Sequence, residues 1–509
     1  LDVYYAAFRI PDLLFASVGS LVSASILLPY FIERFGRGSE EGKSFSNSIF
    51  TVFFSLMTVT AAVVFLIAPW LVPKLIPGFS NDPYLPQLVT SVRIMILSPL
   101  FMGLSNLFSC LTQMRHRFLV YGASPVVYNL GIIAGVLLIY PITGITGLAV
   151  GVAIGAFLHM AIQVPFLSHE GLAPKFTGIV EWVKVKSIAL NSLPRMLTLS
   201  ANQLASFVLV AIASLMVPGS ISVFALAHNL QGVPLTIIGT SYSSAVFPTL
   251  SRLYFENNKN EFLEKMITSA QHIIFWSMPI MVLFIVLRAQ IVRTVLGAGA
   301  FDWADTRLTA AMLALFVIST IGQSMVILFV RAFYAEGKTA RPLWINVISA
   351  TSIVILGYAL TKIYYAWPVF RYFIEELLKV SGQAGTSVLV LGLAYSIGVT
   401  VNLILHWWVF HRSYPAFTRP VFATFYHSFA ASVIMGYAAF LSLRVFNVVF
   451  PLTKVWGVFM QGFSAGVFGL AVGVVVLMLL KNKELHEVWR IIHRKIWKAS
   501  IPPAEVERM

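Results

Sequence analysis

Ser23-Ala-Ser-Ile-Leu-Leu-Pro29 closes one long apolar stretch, and about 220 residues later Ser243-Ser-Ala-Val-Phe-Pro248 closes another. The same order of features follows each. After Pro29 come an apolar helix, the turn Leu75-Ile-Pro-Gly-Phe79-Ser-Asn-Asp82, a further helix and a basic corner at Arg115-His-Arg117. After Pro248 come an apolar helix, the turn Val295-Leu-Gly-Ala-Gly-Ala-Phe301-Asp302, a further helix and Lys338-Thr-Ala-Arg341. A duplicated bundle of membrane helices is a common way to build a transporter, with the cargo site formed by the repeats.

Composition places the chain in a membrane. Of 509 residues, 58% are apolar and 11% charged, with a mean hydropathy of +0.84; soluble domains carry about 25% charged residues. Apolar runs of about 20 residues span the hydrocarbon layer. They are expected at 4–32, 46–70, 91–112, 119–140, 146–167, 188–216, 220–249, 267–288, 307–334, 343–362, 386–410, 421–446 and 456–480. The fold class is therefore all-α integral membrane, with thirteen helices.

Alternate loops divide the cations unequally. One set holds Arg34, Arg37, Lys43, Arg115, Arg117, Lys175, Lys184, Lys186, Arg252, Lys259, Lys265, Lys338, Arg341, Arg412 and Arg419, and the C-terminal tail adds more. The other set is thinner, from Lys74 and Arg288 to Lys454. Positive loops stay in the cytoplasm, so the tail is read as cytoplasmic and Leu1 as external. An odd helix count with an external start, in a chain that opens on Leu, points to a first helix missing here and to fourteen in all. The expected organisation is an N-terminal lobe at 1–216, a C-terminal lobe at 217–410, two appended membrane helices within 411–480 and a basic amphipathic tail at 481–509. The lobes are read as two six-helix repeats related by a pseudo-two-fold axis along the membrane normal.

The net charge of +15 lies mostly in those loops, so the insertion rule accounts for it and no nucleic-acid partner is expected. The single cysteine, Cys110, excludes an internal disulfide. No nucleotide-binding, zinc-protease or hydrolase motif is present, so no metal, cofactor or catalytic residue is assigned and an enzyme is disfavoured.

Gly147, Gly151 and Gly155 recur at four-residue spacing, a pattern that lets a neighbouring helix approach closely within the bundle. Pro11, Pro99, Pro125, Pro165, Pro194, Pro234 and Pro279 fall in or near spans, where each can kink its helix. In the tail, Leu485, Val488, Trp489, Ile492 and Ile496 share one helix face among basic residues, as in a helix lying on anionic membrane lipids. Residues 364–379 read as a similar interfacial helix on the opposite side.

The intramembrane cations are the most informative residues, because a charge near the bilayer centre costs about 2.5–3.5 kcal/mol and so seeks a cavity or a partner. Arg93 and Arg331 sit near span ends, from which arginine reaches the headgroups. Arg9 and Arg195 lie deeper, with polar neighbours. Asp12 is one turn from Arg9, placed for a pair along the helix. Asn202 and Gln203 follow Arg195 by two turns, and His228, Asn229 and Gln231 open the next helix. Arg9, Asp12, Arg195, Gln203 and Asn229 are the candidate substrate-binding residues. Guanidinium groups clamp phosphate in bidentate geometry, so an anionic lipid headgroup is the natural cargo.

Several segments are together more specific than any of these. They are Asp2-Val-Tyr-Tyr-Ala-Ala-Phe-Arg-Ile-Pro-Asp-Leu-Leu14, Ala68-Pro-Trp70 with Pro77-Gly-Phe79, Phe247-Pro-Thr-Leu-Ser251, Gly299-Ala-Phe301, and Arg331-Ala-Phe-Tyr-Ala335 with Thr339-Ala-Arg-Pro342. In order and spacing, over essentially the whole chain, they resemble the MurJ (MviN) family of bacterial lipid II flippases, in the multidrug/oligosaccharidyl-lipid/polysaccharide exporter superfamily. The resemblance implies a fourteen-helix, two-lobed fold in the cytoplasmic membrane. It implies movement of an undecaprenyl-pyrophosphate-linked peptidoglycan precursor to the outer leaflet, with cell-wall synthesis enzymes as candidate partners. It also implies a cavity lined by arginines, two of them in the helix absent here. Phe15 and Asn229 stand at two further family arginine positions, His228 stands where an acid is usual, and Asp2 matches an acidic position. The helix at 343–362, which in the family supplies a sodium-site carboxylate, contains no acid. Three other readings remain beside this one: an exporter of another lipid-linked oligosaccharide, a non-transporting scaffold for envelope synthesis, and a cation-coupled drug antiporter.

Overall fold

The structure, a computed structural model, describes residues 1–22, 24–115, 117–452 and 454–497, without the side chains of a few positions, Arg195 among them. Among the described residues, twelve helices are long and apolar enough to cross a membrane, from Ser39–Leu75 to Val455–Leu479. The first expected span is instead a chain of pieces: Asp2–Ala7, Arg9–Ser17, the 3-10 turn Gly19–Val22 and Ala24–Arg37. Pro11 explains the first break. It lacks an N–H, and its ring crowds the carbonyl four residues back, at Ala7, where the first piece stops. Gly19 marks the second, and a Cβ there would lie 2.5 Å from the Phe15 ring.

The chain folds into two compact units, Leu1–Ala225 with Thr339–Ala366, and Leu226–Lys338 with Trp367–Met509. These differ from the expected lobes at 1–216 and 217–410. By sequence, helix Ala340–Ala366 lies in the expected C-terminal lobe. By packing, however, it belongs to the first unit, where it lies against helix Trp182–Ser214. Nor do the last two membrane helices hang free. Thr418–Val449 packs on both Val455–Leu479 and Lys259–Val286 inside the second unit.

In the first unit the glycine spacing brings backbones together. A Cβ on Gly151 would sit 2.6 Å from Gly135 Cα, and one on Gly147 2.7 Å from the Ile139 carbonyl carbon. The stripe thus packs Ile145–Ala161 onto Phe118–Ala134 and the π-helical turn Gly135–Ile139, inside the bundle. Beside it, buried Gln163 donates to Ser105 Oγ (2.5 Å), and Ser109 Oγ donates to Gln163 Oε1 (3.1 Å). The two repeated turns also acquire a common cause. Asp82 Oδ1 accepts from Tyr84 N (2.8 Å) just ahead of helix Leu85–Met95. Asp302 forms a reciprocal capping box with Asp305 at the start of Trp303–Ala335. Each turn ends in an aspartate because a helix start leaves N–H groups without partners.

The second unit is built round an aromatic core of Phe329, Phe333, Phe410 and Phe417, all fully buried. At one end of that core the buried Glu336 carboxylate accepts from Tyr414 Oη (2.8 Å) and Lys338 Nζ (2.6 Å), joining two loops. Burial, and then this carboxylate, hold the Tyr414 phenol above its ordinary pKa. The expected interfacial helix is Pro368–Leu378, with Val369, Tyr372, Phe373 and Leu377 exposed and Glu375 buried against Arg371 and Thr386.

The tail helix Lys483–Trp497 corrects the expectation of a face lying wholly on lipid. Leu485 and Val488 pack against Phe275, Ala431 and Leu477, and Thr424 Oγ1 donates to Glu484 Oε1 (2.5 Å). His272 meets Glu487 at 3.3 Å. Trp489 stays exposed, while the side chains of Ile492 and Ile496 lie outside the described residues.

Candidate functional site

The break at Pro11 sets Arg9 at the first residue of helix Arg9–Ser17, against helix Trp182–Ser214 in the first unit. There the guanidinium is half-buried. Nη1 donates to Ser206 Oγ at 3.5 Å, a long bond, and the buried Nε has no hydrogen-bond partner among the described residues. Tyr5 lies one turn before Arg9 and Asp12 one turn after it. The expected Arg9–Asp12 pair does not close, since no described carboxylate comes within 4.0 Å of Arg9. A guanidinium has five donors, and among the described residues a hydrogen bond is made only from Nη1 of Arg9.

The facing helix carries a polar stripe. Ser200, Gln203 and Ser206 recur every third residue; Gln203 is half-buried, and the buried Ser200 Oγ is unpartnered. Of the sequence candidates, Arg9, Asp12 and Gln203 therefore lie on two helices that pack together. Arg195 is on the same facing helix, but its side chain lies outside the described residues. Asn229 belongs to the second unit, where it is exposed beside His228, whose ring stands edge-on to Phe316 (5.4 Å) and Tyr395 (5.6 Å). Ser206 was not among the candidates. Its three-residue step from Gln203 was the available signal, but serine is too common in membrane helices to stand out.

Three other charges have structural employment. Arg93 donates from Nε to the Phe65 carbonyl (3.0 Å) and stacks over the Phe65 ring, while Arg331 lies over Phe247 at 5.2 Å. Asp2 accepts from Gly219 N (2.7 Å), Ser222 N (2.8 Å) and Ser222 Oγ (2.5 Å). It thus caps helix Ser220–Pro234 from a distant part of the chain, where Gly219 takes the positive φ of +96°. A carboxylate at a helix start satisfies free N–H groups and the dipole together. Phe15 covers the gap at Gly19.

A polytopic bundle of membrane-length helices that repeats its features is a common transporter architecture. The fold agrees with solved structures of that class. The chain superposes on a lipid II flippase MurJ in its inward closed conformation with a TM-score of 0.71 at 19% identity, covering 98% of this chain and 93% of that one. It also superposes on an inward-facing multidrug resistance MATE family transporter of the MOP superfamily, with a TM-score of 0.61 at 15% identity over 82% of this chain and 91% of that one.

The family profile described as "Lipid II flippase MurJ" matches residues 1–460, and the chain belongs to that family. Curated relatives include a probable lipid II flippase MurJ of Rhizobium tropici, 26% identical over 72% of each chain. Another, from Thermotoga maritima, is 24% identical over 71% of this chain and 73% of the relative. The lipid II flippase MurJ of Burkholderia cenocepacia is 23% identical over 68% and 69%. This is a multi-pass membrane protein of a transport family, not an enzyme.

Proposed function

We propose that this protein is itself a lipid II flippase. It carries an undecaprenyl-pyrophosphate-linked peptidoglycan precursor across the cytoplasmic membrane by exposing a cationic site to the two leaflets in turn, with its C-terminus in the cytoplasm. The observation that carries this reading is Arg9, a half-buried guanidinium that among the described residues makes one long bond and leaves its buried Nε unpartnered. Such a group is costly to keep in a membrane unless an anion uses it, and pyrophosphate matches its planar fork. Ser206 and Gln203 would hydrogen-bond the phosphate or the sugar, Asp12 would tune the local charge, and Arg195 would add a second cation. The apolar tail stays in the bilayer while the headgroup crosses.

Reconstituted into vesicles with lipid II in one leaflet, the wild type is expected to speed the appearance of the headgroup at the other. The replacement of family arginines at Phe15 and Asn229 favours a second reading, another lipid-linked oligosaccharide as cargo. If incorporated protein fails on lipid II but moves an undecaprenyl-linked polysaccharide unit in the same assay, the second reading replaces the first.

A further inference from the structure

Helix Ala24–Arg37 turns at Gly38 into helix Ser39–Leu75, and a cavity of about 440 Å³ opens there against the last turn of Leu97–Met114. Its volume falls in the range of about 300–1,000 Å³ that small-molecule sites occupy. Leu28, Ile32 and Phe35 share one helix face and form an apolar wall, with Ile32 56% exposed. The polar lining is Ser39, Gln113 and Arg115.

The charges around this cavity are unequal in their commitments. Arg34 is held by Glu41, Arg37 by Glu33, Lys43 by Glu40 and Lys184 by Glu181. Arg117 lies over the Phe166 ring at 5.9 Å. Arg115 is exposed and has no ionic partner among the described residues, although it lines the cavity. An uncommitted guanidinium beside an apolar slot fits a molecule that joins a phosphate to a hydrocarbon. The cavity lies at the cation-rich ends of these helices, which the charge distribution assigns to the cytoplasm, where the leaflet is anionic.

We propose that this cavity is a binding site for an anionic phospholipid of the cytoplasmic leaflet, with the lipid phosphate on Arg115 and its glycerol and upper acyl carbons along Leu28, Ile32 and Phe35. Gln113 and Ser39 donate hydrogen bonds to the phosphate or glycerol oxygens. The site is separate from Arg9 and stands whether or not lipid II is the cargo.

Native mass spectrometry of the delipidated full chain tests this, using phosphatidylglycerol and phosphatidylcholine of matched chains. The wild type should retain one equivalent of phosphatidylglycerol with a preference of about tenfold, the worth of a charge-assisted contact, because the choline of phosphatidylcholine already neutralises its phosphate and repels the guanidinium. Arg115→Gln should abolish that preference for this equivalent, the basic tail being intact. Ile32→Trp, which fills the slot, should reduce binding of both lipids, with helix content by circular dichroism reporting that each variant is folded. An unchanged preference in Arg115→Gln would overturn the proposal. So would retention of undecaprenyl pyrophosphate, but not phosphatidylglycerol, in an Arg115-dependent manner, since the site would then hold the cargo lipid.

Discussion

Two polar regions, one in each unit, are built on opposite terms. In the first, Arg9 brings a full charge to the helix face, with one 3.5 Å bond and an Nε unpartnered among the described residues. In the second, the groups are neutral and joined to one another. Gln231 donates to Thr320 (3.1 Å), Gln323 to Ser319 (2.8 Å) and Tyr395 to Gln323 (3.3 Å), leaving the Gln231 Oε1 over. Polarity within a membrane serves to glue helices as readily as to bind cargo. What separates the first region from the second is charge that the protein has not spent on itself.

The largest expected effect follows directly. Arg9→Ala should lower lipid II transport in reconstituted vesicles by at least about tenfold, the loss of a charge-assisted contact. Arg93→Leu, whose donors already serve Phe65, should stay within about threefold, the range of an ordinary membrane hydrogen bond. Equal losses in the two variants would erase the distinction between committed and uncommitted arginines.

A second contrast concerns Asp2, which serves structure within the same unit. Asp2→Ala should destabilise the protein by about 0.5–2 kcal/mol, the usual cost of a lost helix cap, read as a lower midpoint in thermal unfolding. Asp2→Asn should recover part of it. A strong transport defect in Asp2→Asn with an unchanged midpoint would move Asp2 from the frame to the site.

Smaller effects test the neutral region and the site's edge. Gln231→Leu should change transport by no more than about threefold, because membrane hydrogen bonds average about 0.6 kcal/mol. Ser206→Ala should weaken transport by about twofold, since a 3.5 Å bond is long and contributes little. A collapse of transport in Gln231→Leu would make the second region part of the cargo path.

The sequence revealed the parts of the molecule governed by local or one-dimensional rules. Apolar length located the spans, the Gly147, Gly151 and Gly155 spacing anticipated a close helix contact, and Arg9 stood out as a charge in the wrong solvent. Other features depend on who packs against whom. Arg9 meets Ser206 across 197 residues of chain, and no spacing rule joins them. The placement of Ala340–Ala366 in the first unit rests on a helix face that could equally have met lipid. The same ambiguity explains the tail, because an apolar stripe of Leu485 and Val488 does not say whether its partner is a bilayer or Phe275, Ala431 and Leu477. The break after Ala7 was foreshadowed by Pro11, yet its consequence, Arg9 at a helix start, needed the fold.

The most direct measurement expresses the gene in cells depleted of their own lipid II flippase and reads how much lipid II becomes accessible at the outer leaflet. Recovery to the level of undepleted cells, lost in Arg9→Ala at equal membrane abundance, is the predicted result. Recovery that survives Arg9→Ala, or no recovery with the wild-type protein present in the membrane, would contradict the assignment of Arg9 as the contact through which lipid II crosses.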